Sequence, residues 1–241
     1  MTEDLDSARK VCIFAGLAGV IGVVLLGLSF AINNGPPPHP TNAELMKFGH
    51  DNYAHILWGA WMQAVGPVLI VLFAFSLVHL AGATGRLSGW MTFFGATILM
   101  TVSLIEITFY ISALFPDPAV MPTISLRLIS AVQHLYFIVG APALFLPLGI
   151  VIGKSRILPR LFGYLALILA ATFAALGTTF LLTLALPTAV TALGGIQALW
   201  WLAAAIALIV RSGTISSKVG TIGTPPVGRA GTSDLLASAS R

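Results

Sequence analysis

The chain has 241 residues, of which 57% are hydrophobic and only 8% are charged. Soluble domains carry roughly 25% charged residues, so this composition excludes a protein whose surface faces water over most of its area. The net charge of +4 does not indicate a nucleic-acid partner, because the basic residues are spread over the ends of apolar segments and are not gathered on one face. The composition instead predicts the lipid bilayer as the main partner.

Six long apolar segments follow one another along the chain. Each exceeds the roughly 17 residues needed to cross the hydrocarbon core, and none shows the two-residue alternation of a membrane barrel strand. We therefore predict an all-α fold, an integral membrane bundle of six transmembrane helices. The predicted spans are about 11–32, 55–81, 90–115, 124–152, 161–186 and 189–210, within a transmembrane domain of residues 11–210.

The first predicted span also has features of a signal peptide. Arg9 and Lys10 precede it, and Ser29-Phe30-Ala31 is similar to a cleavage site. Its apolar run of about 20 residues is longer than the roughly 7–15 residues of a signal-peptide core. The length favours an uncleaved membrane anchor.

The distribution of basic residues predicts the orientation of the bundle. With a cytoplasmic N-terminus, ten Lys and Arg residues fall inside and two fall outside or at an outer helix end. Positively charged loops are retained in the cytoplasm, so both termini are predicted to be cytoplasmic. The ten are Arg9, Lys10, Arg86, Lys154, Arg156, Arg160, Arg211, Lys218, Arg229 and Arg241, and the two are Lys47 and Arg127.

Three segments lie outside the predicted spans. Residues 1–10 form a short cytoplasmic N-terminus, and residues 33–53 form the one sizeable outer loop, whose proline run favours extended backbone. Residues 211–241 are rich in Gly, Ser and Thr and are predicted to be a disordered cytoplasmic tail. This arrangement is typical of a protein of the bacterial cytoplasmic membrane.

The stretch VSLIEITFYI, residues Val102 to Ile111, places a carboxyl group inside the third span. Glu106 lies nine residues before the predicted outer end, about 14 Å deep at 1.5 Å per residue. On the same reckoning His134 lies about 15 Å deep, and Gln63 and Gln197 about 12 Å deep. Four polar side chains from four predicted helices therefore share one level.

An ionisable residue in a membrane costs about 2.5–3.5 kcal/mol on insertion scales, so Glu106 is expected to face the bundle interior and a partner. Ser103 and Tyr110 share its helical face, because they lie three residues before and four residues after it. We predict a contact between Glu106 and His134 within a buried polar cavity. The candidate ligand-binding or proton-relay residues are Glu106, His134, Gln63, Arg127, Tyr110 and Gln197.

Several roles for these polar residues remain open. A carboxyl group beside an imidazole shifts the pKa of both and relays protons. The same groups can bind a small polar ligand. They can also simply join helices, since interhelical polar contacts contribute about 1–2 kcal/mol in model peptides.

The loop histidines suggest a metal or haem alternative. The sequence GHDNYAH contains His50 and His55, and imidazole nitrogen is a common metal ligand. A spacing of five does not place two side chains on one helical face, which weakens this prediction. Three functional classes follow: a protein that binds or moves a small ligand or proton, a metal- or haem-binding membrane redox protein, and an accessory or structural subunit without ligand. The sequence names neither a reaction nor a cofactor.

The segment QHLYFIVGAPALFLPLGIVIGKSRILPRLFGYLALI resembles a family of small bacterial multi-span membrane proteins that carry a domain of unknown function. The resemblance covers the fourth and fifth spans, about 35 residues. It implies an all-helical integral membrane protein and supplies no activity. The matching positions, a histidine within a span followed by a cytoplasmic turn, are His134, Gly149, Lys154, Ser155, Pro159 and Gly163.

Overall fold

The computed structural model describes residues 2–33, 41–112, 128–129, 131–155, 157–183 and 188–214. This part of the chain is helical apart from short connections, so the predicted all-α class is confirmed. Its seven main helices are α1 Thr2–Ile32, α2 Asn42–Asp51, α3 Tyr53–Leu80, α4 Leu87–Ser112, α5 Ala131–Ser155, α6 Arg160–Thr183 and α7 Thr188–Val210.

Every helix except α2 is long and apolar enough to cross a membrane. The six candidate spans coincide with the six predicted segments, and the boundaries that can be compared differ by no more than three residues. The helix α1 itself begins at Thr2, before its candidate span, which begins at Arg9. Residues 113–115, 124–127, 130 and 184–186 of the predicted spans lie outside the described residues, as do the proline run of the outer loop and residues 215–241 of the predicted tail.

The outer surface of the bundle is apolar. Phe14 is 70% exposed, Trp90 64% and Ile168 59%. Water-soluble proteins rarely expose many large apolar side chains together, whereas a membrane span must present them to lipid. The surface therefore agrees with the hydropathy of the six helices.

The helices are arranged as a ring. Along the chain α1 packs on α3, α3 on α4, α4 on α5 and α5 on α6, and α7 packs mainly on α1 and more weakly on α6. Aromatic side chains from α3, α5, α6 and α7 fill the interior, and all four are fully buried. They are Phe73, Phe145, Phe173 and Trp201.

Glycine pairs allow two of these helix contacts to be very close. A Cβ atom on Gly22 would lie 2.8 Å from the carbonyl oxygen of Gly66, and one on Gly66 would lie 2.9 Å from that of Gly22. Gly149 of α5 and Gly163 of α6 form the same reciprocal contact, at 2.9 Å in both directions. Small residues at such crossings permit backbone-to-backbone packing, which drives helix association in membranes.

The two prolines of α5 mark local departures from the ideal helix. A π-helical turn, Tyr136–Gly140, comes just before Pro142, whose missing N–H removes one regular helical hydrogen bond. Pro147 likewise leaves the carbonyl of Ala143 without its helical donor. The backbone of Gly95 in α4 packs directly against that carbonyl group.

The predicted outer loop contains a helix, α2, that the proline-rich composition did not predict. The helix begins with a capping box, in which the N–H of Glu44 donates to the Thr41 hydroxyl and the N–H of Thr41 donates to the Glu44 carboxylate. The backbone hydrogen bond from Thr41, with a second from its hydroxyl, holds the pKa of the Glu44 carboxyl below its ordinary value. The Thr-x-x-Glu pattern was the sequence signal for this helix start.

Candidate functional site

Glu106 on α4 faces the interior, as the cost of a carboxyl group in lipid predicted. Its side chain is 7% exposed. The Nε2 of Gln133 on α5 donates a hydrogen bond of 2.6 Å to Glu106 Oε1. The side-chain amide of Gln63 on α3 lies near the same carboxyl group, within reach of a hydrogen bond to it. Gln63, Glu106 and Gln133, here called the amide–carboxyl cluster, thus join three consecutive spans.

A proline in α3 explains why Ser103 also belongs to this region. Pro67 has no N–H, so the carbonyl oxygen of Gln63, four residues earlier, loses its helical donor. The hydroxyl of Ser103 on α4 donates to that oxygen at 3.0 Å. An unsatisfied carbonyl in lipid would be costly, so the bond both satisfies the backbone and fixes α4 against α3 beside Glu106.

Replacement of Ser103 by alanine is therefore expected to destabilise the bundle by about 1 kcal/mol, the usual net value of a buried hydrogen bond. The thermal unfolding of the purified protein in detergent measures the effect. Pro67→Ala supplies the matched background, because it restores the N–H that the Gln63 carbonyl lacks. Ser103→Ala should cost clearly less in that background, and an equal cost in both would contradict this explanation.

The structure corrects the prediction for His134. The predicted buried histidine is half-buried, and the α5 side chain that bonds to Glu106 is its neighbour Gln133. Adjacent residues of a helix point about 100° apart. Because Gln133 faces α4, His134 faces about 100° away from that direction. A contact between Glu106 and His134 stays a prediction.

The remaining predicted site residues are distributed over different places. Tyr110 is half-buried and lies one helical turn from Glu106 on the same face of α4. Gln197 of α7 instead donates to the hydroxyl of Tyr136, which lies among the aromatic side chains of the interior. Arg127 lies outside the described residues.

His50 and His55 lie away from the bundle interior. His50 is near the end of α2, His55 is in the first turn of α3, and both side chains are exposed. Among the residues that the structure describes, no three His, Cys, Asp or Glu side chains form a group that could hold a metal ion. The two histidines therefore have no third ligand from this part of the chain.

Sequence reasoning missed Gln133. The available signal was a polar residue within an apolar span. The prediction instead used the neighbouring residue, His134, because it is ionisable. Gln63, Ser103 and Glu106 could be assigned to an interior face because each belongs to a helix whose span was clear. The choice between two adjacent polar residues depends on the rotation of α5, which hydropathy does not define.

The six apolar helices and the amide–carboxyl cluster, in which Gln63 and Glu106 are buried and Gln133 is half-buried, define a class: this is a candidate multi-pass membrane protein with a polar site between its helices. Comparison with family models, with curated proteins and with solved structures finds no match. The resemblance of the fourth and fifth spans to the uncharacterised bacterial family thus stays a prediction.

Proposed function

We propose that this protein takes up and releases a proton at Glu106, within a polar site between α3, α4 and α5 that also suits a small polar ligand. The observation that carries the proposal is the nature of the partners. The carboxyl group is buried, and its hydrogen-bonding groups from α3 and α5 are the neutral side-chain amides of Gln63 and Gln133.

Amide partners suit a carboxyl group that changes its protonation state. An amide NH2 donates to a carboxylate, and the same side chain, turned over, accepts from a protonated carboxyl through its carbonyl oxygen. An arginine or lysine partner has no acceptor and favours only the ionised form. The cluster can therefore satisfy both forms of Glu106 without leaving a buried group unpaired.

Glu106→Gln tests this proposal, because glutamine keeps the size and hydrogen-bonding capacity of the side chain and does not titrate. Infrared difference spectra of the protein in vesicles would be recorded from about pH 4 to about pH 9. This range is wide enough to detect the titration of a carboxyl group whose pKa lies far from its ordinary value. We expect a protonated-carboxyl band in the wild type that is missing from Glu106→Gln. Glu44→Gln is the matched control, since it removes an exposed carboxyl group and keeps the capping box.

The same hydrogen bonds also support a second candidate, a polar joint that only holds three helices together. In that case the infrared band assigned to Glu106 would not change over the pH range, and Glu106→Gln would behave as the wild type in every pH-dependent measurement. This result would overturn the proposed proton exchange and leave an accessory or structural role for the protein.

The orientation is part of the proposal. The excess of basic residues at one end of the bundle supports cytoplasmic termini in a bacterial cytoplasmic membrane. In a background without the single cysteine, Asn42→Cys is expected to react with a membrane-impermeant maleimide on intact cells, and Ser217→Cys is expected to react only after permeabilisation. The reverse pattern would show that the bundle is inverted.

A further inference from the structure

A cleft lies where α5 ends and α6 begins. Its volume is about 440 Å³, and it opens beside the close crossing of Gly149 and Gly163. A Cβ atom on Gly153 would meet no other atom within 4 Å, so this glycine borders open space. The cleft therefore forms because the backbones of α5 and α6 are in close contact on one side of Gly153, and no side chain fills the space on its other side.

Two cations line the cleft, and none of the three helices α5, α6 and α7 carries an acid that could neutralise them. Lys154 and Arg160 are both exposed. The sequence has no Asp or Glu between Asp117 and Asp234, so α5, α6 and α7 carry none. The acid of the neighbouring α4, Glu106, lies nineteen residues from the start of that helix, or about 28 Å along it, in the half of α4 that is farther from the cleft.

The rest of the lining is apolar or amphipathic. Ile150, Tyr164 and Leu167 continue from the two cations along the helices towards the centre of the span. Tyrosine is favoured at membrane interfaces, where its ring contacts acyl chains and its hydroxyl contacts water and headgroups. The cleft thus has a cationic end at the membrane surface and an apolar wall below it.

We propose that this cleft binds an anionic phospholipid. Lys154 and Arg160 hold the headgroup phosphate, because guanidinium forms paired hydrogen bonds with phosphate and ammonium supplies a point charge. One acyl chain lies along Ile150 and Leu167. Basic pockets between helices at a membrane surface are suited to such headgroups. The inference rests on the six helices as membrane spans and is independent of proton exchange at Glu106.

Native mass spectrometry of the full-length protein tests the proposal, with phosphatidylglycerol, phosphatidylcholine or inorganic phosphate added in detergent. We expect the wild type to retain phosphatidylglycerol and to release phosphatidylcholine. Each basic residue near an anionic membrane surface strengthens binding roughly five-fold, so Lys154→Gln with Arg160→Gln should weaken phosphatidylglycerol binding by about 25-fold. Arg86→Gln, which removes an exposed arginine of the α3–α4 turn, should leave that binding unchanged.

Three results would overturn the proposal: equal phosphatidylglycerol binding by the double variant and the wild type, an equal loss in Arg86→Gln, or displacement of the lipid by an equal concentration of inorganic phosphate. If the double variant does not fold, phosphatidylglycerol binding by Gly153→Leu tests the proposal instead. This change keeps both cations and fills the open space, so loss of the lipid supports the site and retention of the lipid contradicts it.

Discussion

Gly95→Ala is expected to prevent the correct packing of α4 against α5 and to cause a large loss of stability. A Cβ atom at this position would lie 2.5 Å from the carbonyl carbon of Ala143 and from the Cα of Leu144. These are backbone atoms, which cannot rotate away as a flexible side chain does. Overpacking commonly costs about 1–3 kcal/mol, and we expect Gly95→Ala to lie at or above the upper end of that range.

The yield and the thermal unfolding of the protein in detergent measure this effect. Gly27→Ala is the matched control, because a Cβ atom on Gly27 of α1 would meet nothing within 4 Å. Alanine stabilises helices relative to glycine, so this control should be neutral or slightly stabilising. A Gly95→Ala protein as stable as the control would show that α4 and α5 are not in close backbone contact.

Glu106→Leu is expected to destabilise the folded bundle by about 1–3 kcal/mol, the cost of leaving buried hydrogen-bonding groups unpaired. The amides of Gln63 and Gln133 would both lose their shared partner. Leucine also removes the cost of exposing a carboxyl group to lipid when the helices are separated, so the packed state loses that advantage over the separated state.

Glu106→Gln is the control for this prediction. It keeps a hydrogen-bonding group between the two amides, so its effect on thermal unfolding should be below about 1 kcal/mol, close to the average of about 0.6 kcal/mol for polar contacts between membrane helices. Equal stability of the leucine and glutamine variants would mean that the amide–carboxyl cluster contributes nothing to packing. Such a result would strengthen the functional role of Glu106 at the expense of the structural one.

The amide–carboxyl cluster lies within the bundle and the cleft between α5 and α6 lies at one end of the spans, so their tests can fail separately. The cluster depends on neutral hydrogen-bonding groups within the bundle, whereas the cleft depends on two exposed cations at its surface. Glu106→Gln leaves every group of the cleft in place. Replacement of Lys154 and Arg160 likewise leaves the cluster intact.

The sequence alone determined the class of the protein. Six apolar segments with few charges can satisfy their backbone groups in lipid only as helices, so the fold class and the approximate spans followed from length and hydropathy. The burial of Glu106 followed from the same physics, because a carboxyl group in a span avoids lipid. The capping box of α2 was also present in the sequence, as Thr41 and Glu44. It was not used because the proline-rich composition of the loop predicted extended backbone.

Only the tertiary structure decided which polar groups meet. Gln133 of α5 donates to Glu106, and a rotation of α5 by one residue, about 100°, would exchange the side chain that faces α4. The bond between Ser103 and the Gln63 carbonyl needed both the missing N–H of Pro67 and the register of α4 against α3. Rotation and register are set by close contacts such as that of Gly95 with Ala143, which join residues far apart in the chain and leave no trace in local hydropathy.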